Sequence, residues 1–200
     1  MHPNRVFEYQ DREAMLDFVA ERAFAHIFSA ANGSLAVAHA PVIVVDGKVQ
    51  FHIARRNRGA GMAGRRVLVS MAGRDGFQSA DWYVSADQVP TWHYEAVEIE
   101  GEARQLSDAE LIAQVDRLSD VMERRVAPES PWTRAKMTPG KFEAMVKAIV
   151  GFEVDPEEIR GTFKFNQHKA PEDIAATIAG QRSAGREDIA AAVNEATNRP

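Results

Sequence analysis

His39, His52 and the run Arg55-Arg56-Asn57-Arg58 are the residues whose types suit the binding of an anion. Imidazole nitrogens donate hydrogen bonds, and a guanidinium fork matches phosphate oxygens bidentately. The sequence between them suggests how they meet. Val37 to Val45 is apolar and β-branched, Lys48 to Ala54 resumes that character, and Asp46-Gly47 lies between. Asp and Gly tolerate the positive φ of a two-residue type I′ turn, so the segment predicts a β-hairpin. With Val45 opposite Lys48, Pro41 falls opposite His52 and His39 opposite Ala54. Side-chain alternation then puts all four on one face. The two histidines become diagonal neighbours at the end that opens into the arginine run, where a phosphate or another anion fits. A solvated cationic loop is the alternative reading of the same residues.

Two further stretches carry chemistry. Trp82, Tyr83, Trp92 and Tyr94 place four large aromatics within thirteen residues, a cluster that suits core or subunit interface and also offers polar tips. Lys164-Phe165-Asn166-Gln167-His168-Lys169 is cationic and polar directly after a predicted strand, a second place for anion or ligand contact. A third stretch is excluded. Gly59-Ala60-Gly61-Met62-Ala63-Gly64 matches G-x-G-x-x-G, but the dinucleotide fingerprint needs a helix immediately after it, and Val67-Leu68-Val69-Ser70-Met71 reads as a strand.

The elements that position these groups follow from periodicity. Asp11 to Phe24 has apolar residues at helical spacing, His26 to Ala31 is short and mixed, and Asn32-Gly33 turns the chain into the hairpin. Val67 to Ala72 and Phe77 to Val84 suggest a strand pair turned by Gly73-Arg74-Asp75-Gly76. Glu95 to Leu106 alternates, with Val97, Ile99, Gly101 and Ala103 on one face. Ser107 and Glu110 form a capping box before a long amphipathic helix. Thr138-Pro139 is expected to cap and open another helix, which Gly151 stops. Phe152 to Val154 and Gly161 to Phe165 read as short strands, and two thin helices around 180–185 complete the chain.

The 200 residues are 45% apolar and 26% charged, with a net charge of −5. That suffices for one good-sized core and gives no general attraction for nucleic acid or anionic lipid. Cysteine is absent, which excludes disulfides, thiolate metal sites and a cysteine nucleophile. No stretch approaches the roughly 18 apolar residues of a membrane span, so a cytoplasmic protein is expected. The mostly antiparallel strands with helices at start, middle and end suggest a mainly β fold, a closed or nearly closed barrel flanked by helices.

Several segments together resemble the PaiB-type family of FMN-binding negative transcriptional regulators. They are Ala38-His39-Ala40-Pro41, His52-Ile53-Ala54-Arg55-Arg56-Asn57, Trp82-Tyr83, Val89-Pro90-Thr91-Trp92-His93-Tyr94, Val150-Gly151-Phe152-Glu153 and Lys164-Phe165-Asn166-Gln167. The likeness runs from about residue 7 to residue 182. The chain departs from the family pattern at His93, where Asn is usual, at Asn166 and His168 in the lysine segment, and at Arg58, where proline is common.

The resemblance implies an FMN-binding split β-barrel over residues 1–170, with a helical tail over 171–200 packing on the barrel or on a dimer partner. It implies FMN as cofactor, its phosphate held by His39, His52, Arg55, Asn57 and Arg58. The flavin ring is met by Trp82, Thr91, Trp92 and Tyr94, with contributions from a second subunit, and Lys164 and Gln167 close the rim. A homodimeric regulator is the leading expectation. A flavin-dependent oxidoreductase of a small molecule and a haem-binding split barrel are the alternatives; direct DNA contact has no support in the sequence, and no metal is expected.

Overall fold

The computed structural model describes residues 2–31 and 34–198. In chain order it forms β1 (Glu8–Tyr9), α1 (Arg12–Arg22), β2 (Phe24–Ala31), β3 (Ser34–Val45), β4 (Lys48–Ala54), β5 (Arg66–Gln78), β6 (Thr91–Gln105), α2 (Asp108–Val126), α3 (Lys141–Val146), β7 (Ile149–Val154), β8 (Glu158–Lys164), α4 (Pro171–Ser183) and α5 (Glu187–Thr197). These elements divide into two units. The first contains Arg12–Met71 and Glu98–Ile159; the second contains Met1–Asp11, Ala72–Val97 and Arg160–Pro200. The long strands β5 and β6 contribute residues to both.

In the first unit the expected hairpin forms. Asp46 and Gly47 have φ of 51° and 77°, the two positive values that a type I′ turn requires. Val45 pairs with Lys48 and Val42 with Phe51. β4 continues the sheet through β7, with His52 opposite Gly151, and β2 lies between β3 and β5. The strand order β6-β5-β2-β3-β4-β7, with β6 also paired to β7, closes a six-stranded ring. Its inward residues are apolar: Ile27, Val42, Phe51, Val69, Ile99, Phe152 and Val154 are all buried. Each contributes about 1.5–3 kcal/mol by leaving water. The Ser107–Glu110 capping box is present on α2.

Several expected boundaries are corrected. Residues 66–78 are one continuous strand, not a hairpin turned at 73–76. The glycines there make room for side chains instead: a Cβ on Gly73 would overlap the Glu95 carboxylate, and one on Gly76 would sit 2.9 Å from Ile189. The strand ends at Gln78, and Ala80–Trp82 forms a 3-10 turn. Thr138 does not cap α3; Gly140 precedes it at φ 78°. Gly151 does not stop a helix but lies inside β7, where a Cβ would meet Leu106 and Leu111 at 2.9 Å. Asn32-Gly33 lies outside the described residues.

In the second unit β1 pairs with β8, Glu8 opposite Thr162. The tail forms the two expected helices, broken at Gly185 with φ 74°, and belongs to the same unit as Ala72–Val97. Ile189, Ala190, Ala192 and Val193 of α5 are buried.

Candidate functional site

From residue 47 to residue 74 the chain carries no Asp or Glu, and five arginines occupy 55–66. This loop follows β4 in the barrel unit. Arg55 donates from Nε to the Lys147 carbonyl at 3.1 Å and from Nη2 to the Ile149 carbonyl at 2.8 Å. Its backbone N–H reaches the Ala148 carbonyl at 2.8 Å. Arg55 therefore seals the junction of α3 with β7. Asn57 accepts from the Gly59 N–H at 2.8 Å and starts the 3-10 turn Arg58–Gly61. Arg58 donates to the Ser34 hydroxyl at 3.2 Å. Arg66 is committed elsewhere, to the Glu100 and Glu157 carboxylates.

That distinction decides where an anion can bind. Arg66 is neutralised by two carboxylates, whereas the partners of Arg55 and Arg58 are neutral oxygens that leave each positive charge uncompensated. Beside this turn the Ser29 hydroxyl is buried without a hydrogen-bond partner, and a Cβ on Gly59 would come within 3.5 Å of it. The loop is a cationic surface with spare donors.

The two predicted histidines do not meet as expected. The ladder to β4 begins at Val42, and from Pro41 back to Ser34 β3 is paired with β2. His39 therefore faces His26, with ring centroids 4.8 Å apart and nearly perpendicular. His52 turns to α2, its Nδ1 at 2.9 Å from Gln114 Oε1. His26 carried no signal in the sequence because its role depends on the β2–β3 register. The outer face of these two strands is apolar and exposed: Phe24, Phe28, Leu35 and Val37 flank the histidines, with Leu35 83% exposed.

In the second unit the remaining predicted residues are mostly engaged in its own structure. Lys164 Nζ donates to Thr91 Oγ1 at 2.5 Å and to the Trp92 carbonyl at 2.8 Å, and burial lowers its pKa. Trp92 is half exposed, with its indole N–H on Asp75 at 3.0 Å and its ring beside Phe77. Trp82 lies flat on Gly180, where a Cβ would overlap the indole. Tyr94 is half-buried on β6. Gln167 is held by backbone groups: its amide accepts from the Phe165 N–H and donates to the carbonyls of Phe163 in β8 and of Val6.

Sequence reasoning missed the polar interior of this unit. His93 is fully buried and stacks on Phe165. Its two ring nitrogens face oxygens, Nδ1 at 3.3 Å from the Lys164 carbonyl and Nε2 at 3.1 Å from Gln78 Oε1. Burial pushes its pKa down to about 4. Gln181 of α4 reaches the Phe77 carbonyl at 2.8 Å, Asp173 accepts from the Val84 and Ser85 N–H groups, and Asn166 joins Tyr83 to Thr177.

Among the described residues no group of three or more His, Cys, Asp or Glu could hold a metal ion, and no helix is long and apolar enough to cross a membrane.

Residues 1–158 match a family profile described as “Putative FMN-binding domain”. The chain is 26% identical over 179 residues to the protease synthase and sporulation protein PAI 2 of Bacillus subtilis strain 168, covering 86% of this chain and 85% of that protein. In fold it is similar to the flavocytochrome Anf3 of Azotobacter vinelandii, with a TM-score of 0.64, 13% identity, and 82% of this chain and 72% of that chain covered. It is also similar to an FAD and heme binding protein of Mycobacterium smegmatis, with a TM-score of 0.60, 17% identity, and 85% and 80% covered.

Proposed function

The chain belongs to the FMN-binding domain family and is of the PaiB type, and from that premise we propose that it works as a homodimeric regulator. In this reading its output is governed by the flavin it holds and not by direct reading of DNA. The FMN phosphate docks on the loop after β4, with Arg55 and Arg58 as the charged donors. The observation that carries this assignment is that both guanidinium groups are paired only with neutral oxygens, in a stretch of 28 residues without a carboxylate. Phosphate fits that donor set, and each charge-assisted hydrogen bond contributes roughly 1.5–3 kcal/mol. Bound flavin would supply the redox chemistry; the residues of the loop bind and orient its anionic end. On the strength of the family resemblance the ring is assigned to Thr91, Trp92 and Tyr94, with Lys164, of a second copy of the chain.

Dimerisation is assigned to the outer face of β2 and β3. Phe28, Leu35 and Val37 form an exposed apolar patch there, set off from Phe24 by the His26–His39 pair, and a second copy presenting the same residues buries it symmetrically.

Direct DNA reading is disfavoured by charge. α4 and α5 have the outline of a helix-turn-helix, with a turn at Gly185. Yet α5 carries Glu187, Asp188 and Glu195 and no Lys or Arg, the wrong sign for a groove lined by phosphates.

The test is an FMN titration of the wild type and of Arg58→Ala, followed by flavin absorbance, with sedimentation of the wild type and of Phe28→Glu. The expected results are at least a tenfold loss of FMN affinity in Arg58→Ala, and a dimer that dissociates in Phe28→Glu. Wild type that takes up no FMN overturns the reading.

A further inference from the structure

Beneath α3, in the barrel unit, lies a pocket of about 330 Å³ that the flavin assignment does not use. Its walls are mainly apolar: Val115 of α2, Trp132 of the connecting loop, Phe142 and Met145 of α3, and Ile149 of β7, with His52 of β4 as the one titratable side chain. A volume of this order, apolar walls and one convergent polar group are the ordinary make-up of a small-molecule site. The methionine is adaptable, and 63% of it is exposed at the mouth.

The contact between His52 and Gln114 defines what the pocket would accept. Gln114 holds His52 through its side-chain oxygen at 2.9 Å. An amide oxygen only accepts, so Nδ1 of His52 carries the proton and Nε2 carries the lone pair. The ring therefore offers the pocket a hydrogen-bond acceptor. In addition, Gln114 is 99% buried, and its Nε2 has no hydrogen-bond partner. Among the described residues, the only hydrogen bond of the Gln114 side chain is thus the one to His52, which leaves Gln114 with the single task of fixing that ring. The short segment that roofs the pocket is anchored independently, by Arg134 on Asp116 and over the Phe142 ring and by Arg55 on the carbonyls after α3.

We propose that this pocket is a binding site for a small neutral aromatic molecule that carries one N–H or O–H group, donated to Nε2 of His52 while the ring packs against Phe142, Met145 and Trp132. An anionic ligand fits poorly among these walls, since burying an unpaired charge there is costly. The site is therefore distinct in chemistry from the phosphate loop.

The probes are indole and 1-methylindole, which differ only at the N–H, titrated calorimetrically into the full-length protein. Indole is expected to saturate one site per chain, and 1-methylindole to bind roughly 5- to 10-fold more weakly, the worth of one hydrogen bond. His52→Phe keeps the ring and removes the acceptor, so it should erase the difference between the probes. Val115→Trp fills the pocket from α2 and should abolish indole binding while its FMN titration matches the wild type. Absence of saturable indole binding by the wild type, equal affinities for the two probes, or indole binding retained in Val115→Trp would each overturn the proposal. So would a Soret band with haemin that disappears in His52→Phe, which would give the pocket to a porphyrin.

Discussion

The two units of this chain are built on opposite principles. The barrel unit buries mainly aliphatic and aromatic side chains contributed by alternate positions of its strands, with Ser29, Gln114 and Glu153 as its few buried polar groups. The second unit buries Gln78, His93, Glu95, Asn166, Asp173, Thr177 and Gln181. It satisfies most of them with one another or with backbone, as where Asp173 takes two N–H groups of the segment after Trp82. An apolar interior tolerates approximate partners, because its attraction is non-directional. A polar one is favourable only when every donor meets an acceptor. The second unit is thus the more specific in geometry and the more sensitive to single substitutions of polar residues.

The largest effect should come from the apolar side of this contrast. Phe152→Ala empties the centre of the barrel beside Phe51, whose ring lies 5.6 Å away, and should cost about 3–5 kcal/mol in urea unfolding. A loss below 1 kcal/mol would mean that the barrel interior is not closely packed. Next is Gly73→Ala, whose Cβ would overlap the Glu95 carboxylate that holds Arg74 at 3.1 Å. Displacing one partner of a buried ion pair should cost about 3 kcal/mol, and a neutral result would show that Glu95 has room to move.

His93 sharpens the contrast by pH. Its folded pKa of about 4 lies below the usual imidazole value of 6.5, so the unfolded chain binds the extra proton between those two values. Stability is therefore full above pH 6.5 and falls as the solution is acidified toward pH 4, by roughly 2–3 kcal/mol from this group. His93→Asn cannot bind that proton. The difference between its urea midpoint and that of the wild type should change across this window, and parallel curves would contradict the assignment. The smallest effect belongs to the rim of the barrel unit, where Ser107→Ala removes the cap of α2 and should cost about 1 kcal/mol.

What the sequence made legible follows the same division. The type I′ turn, the alternation of β6 and the capping box were readable because each is a local rule satisfied by consecutive residues. The barrel class followed from adding such rules together. Gly73 and Gly76 were misread as turn residues because a glycine that makes room for Glu95 or Ile189 looks the same in sequence as one that bends the chain. The expected meeting of His39 and His52 as diagonal neighbours failed for a related reason. The hairpin register itself was right, but β3 gives its first half to β2, and no local signal marks where a long strand changes neighbours. The roles of Gln78, Gln181 and Gln114 were illegible, since a buried amide is recognisable only from the partner it meets. The arginine loop was visible as charge, whereas the difference between the neutralised Arg66 and the uncompensated Arg55 and Arg58 required the structure.

The central claim is that the loop after β4 holds the phosphate of FMN. Riboflavin carries the same ring without that group, so the direct measurement is the affinity of the wild type and of the Arg55→Ala/Arg58→Ala double variant for both flavins. The wild type should prefer FMN by at least tenfold, and the double variant should lose that preference while keeping its affinity for riboflavin. An undiminished preference for FMN in the double variant would contradict the account and place the phosphate elsewhere.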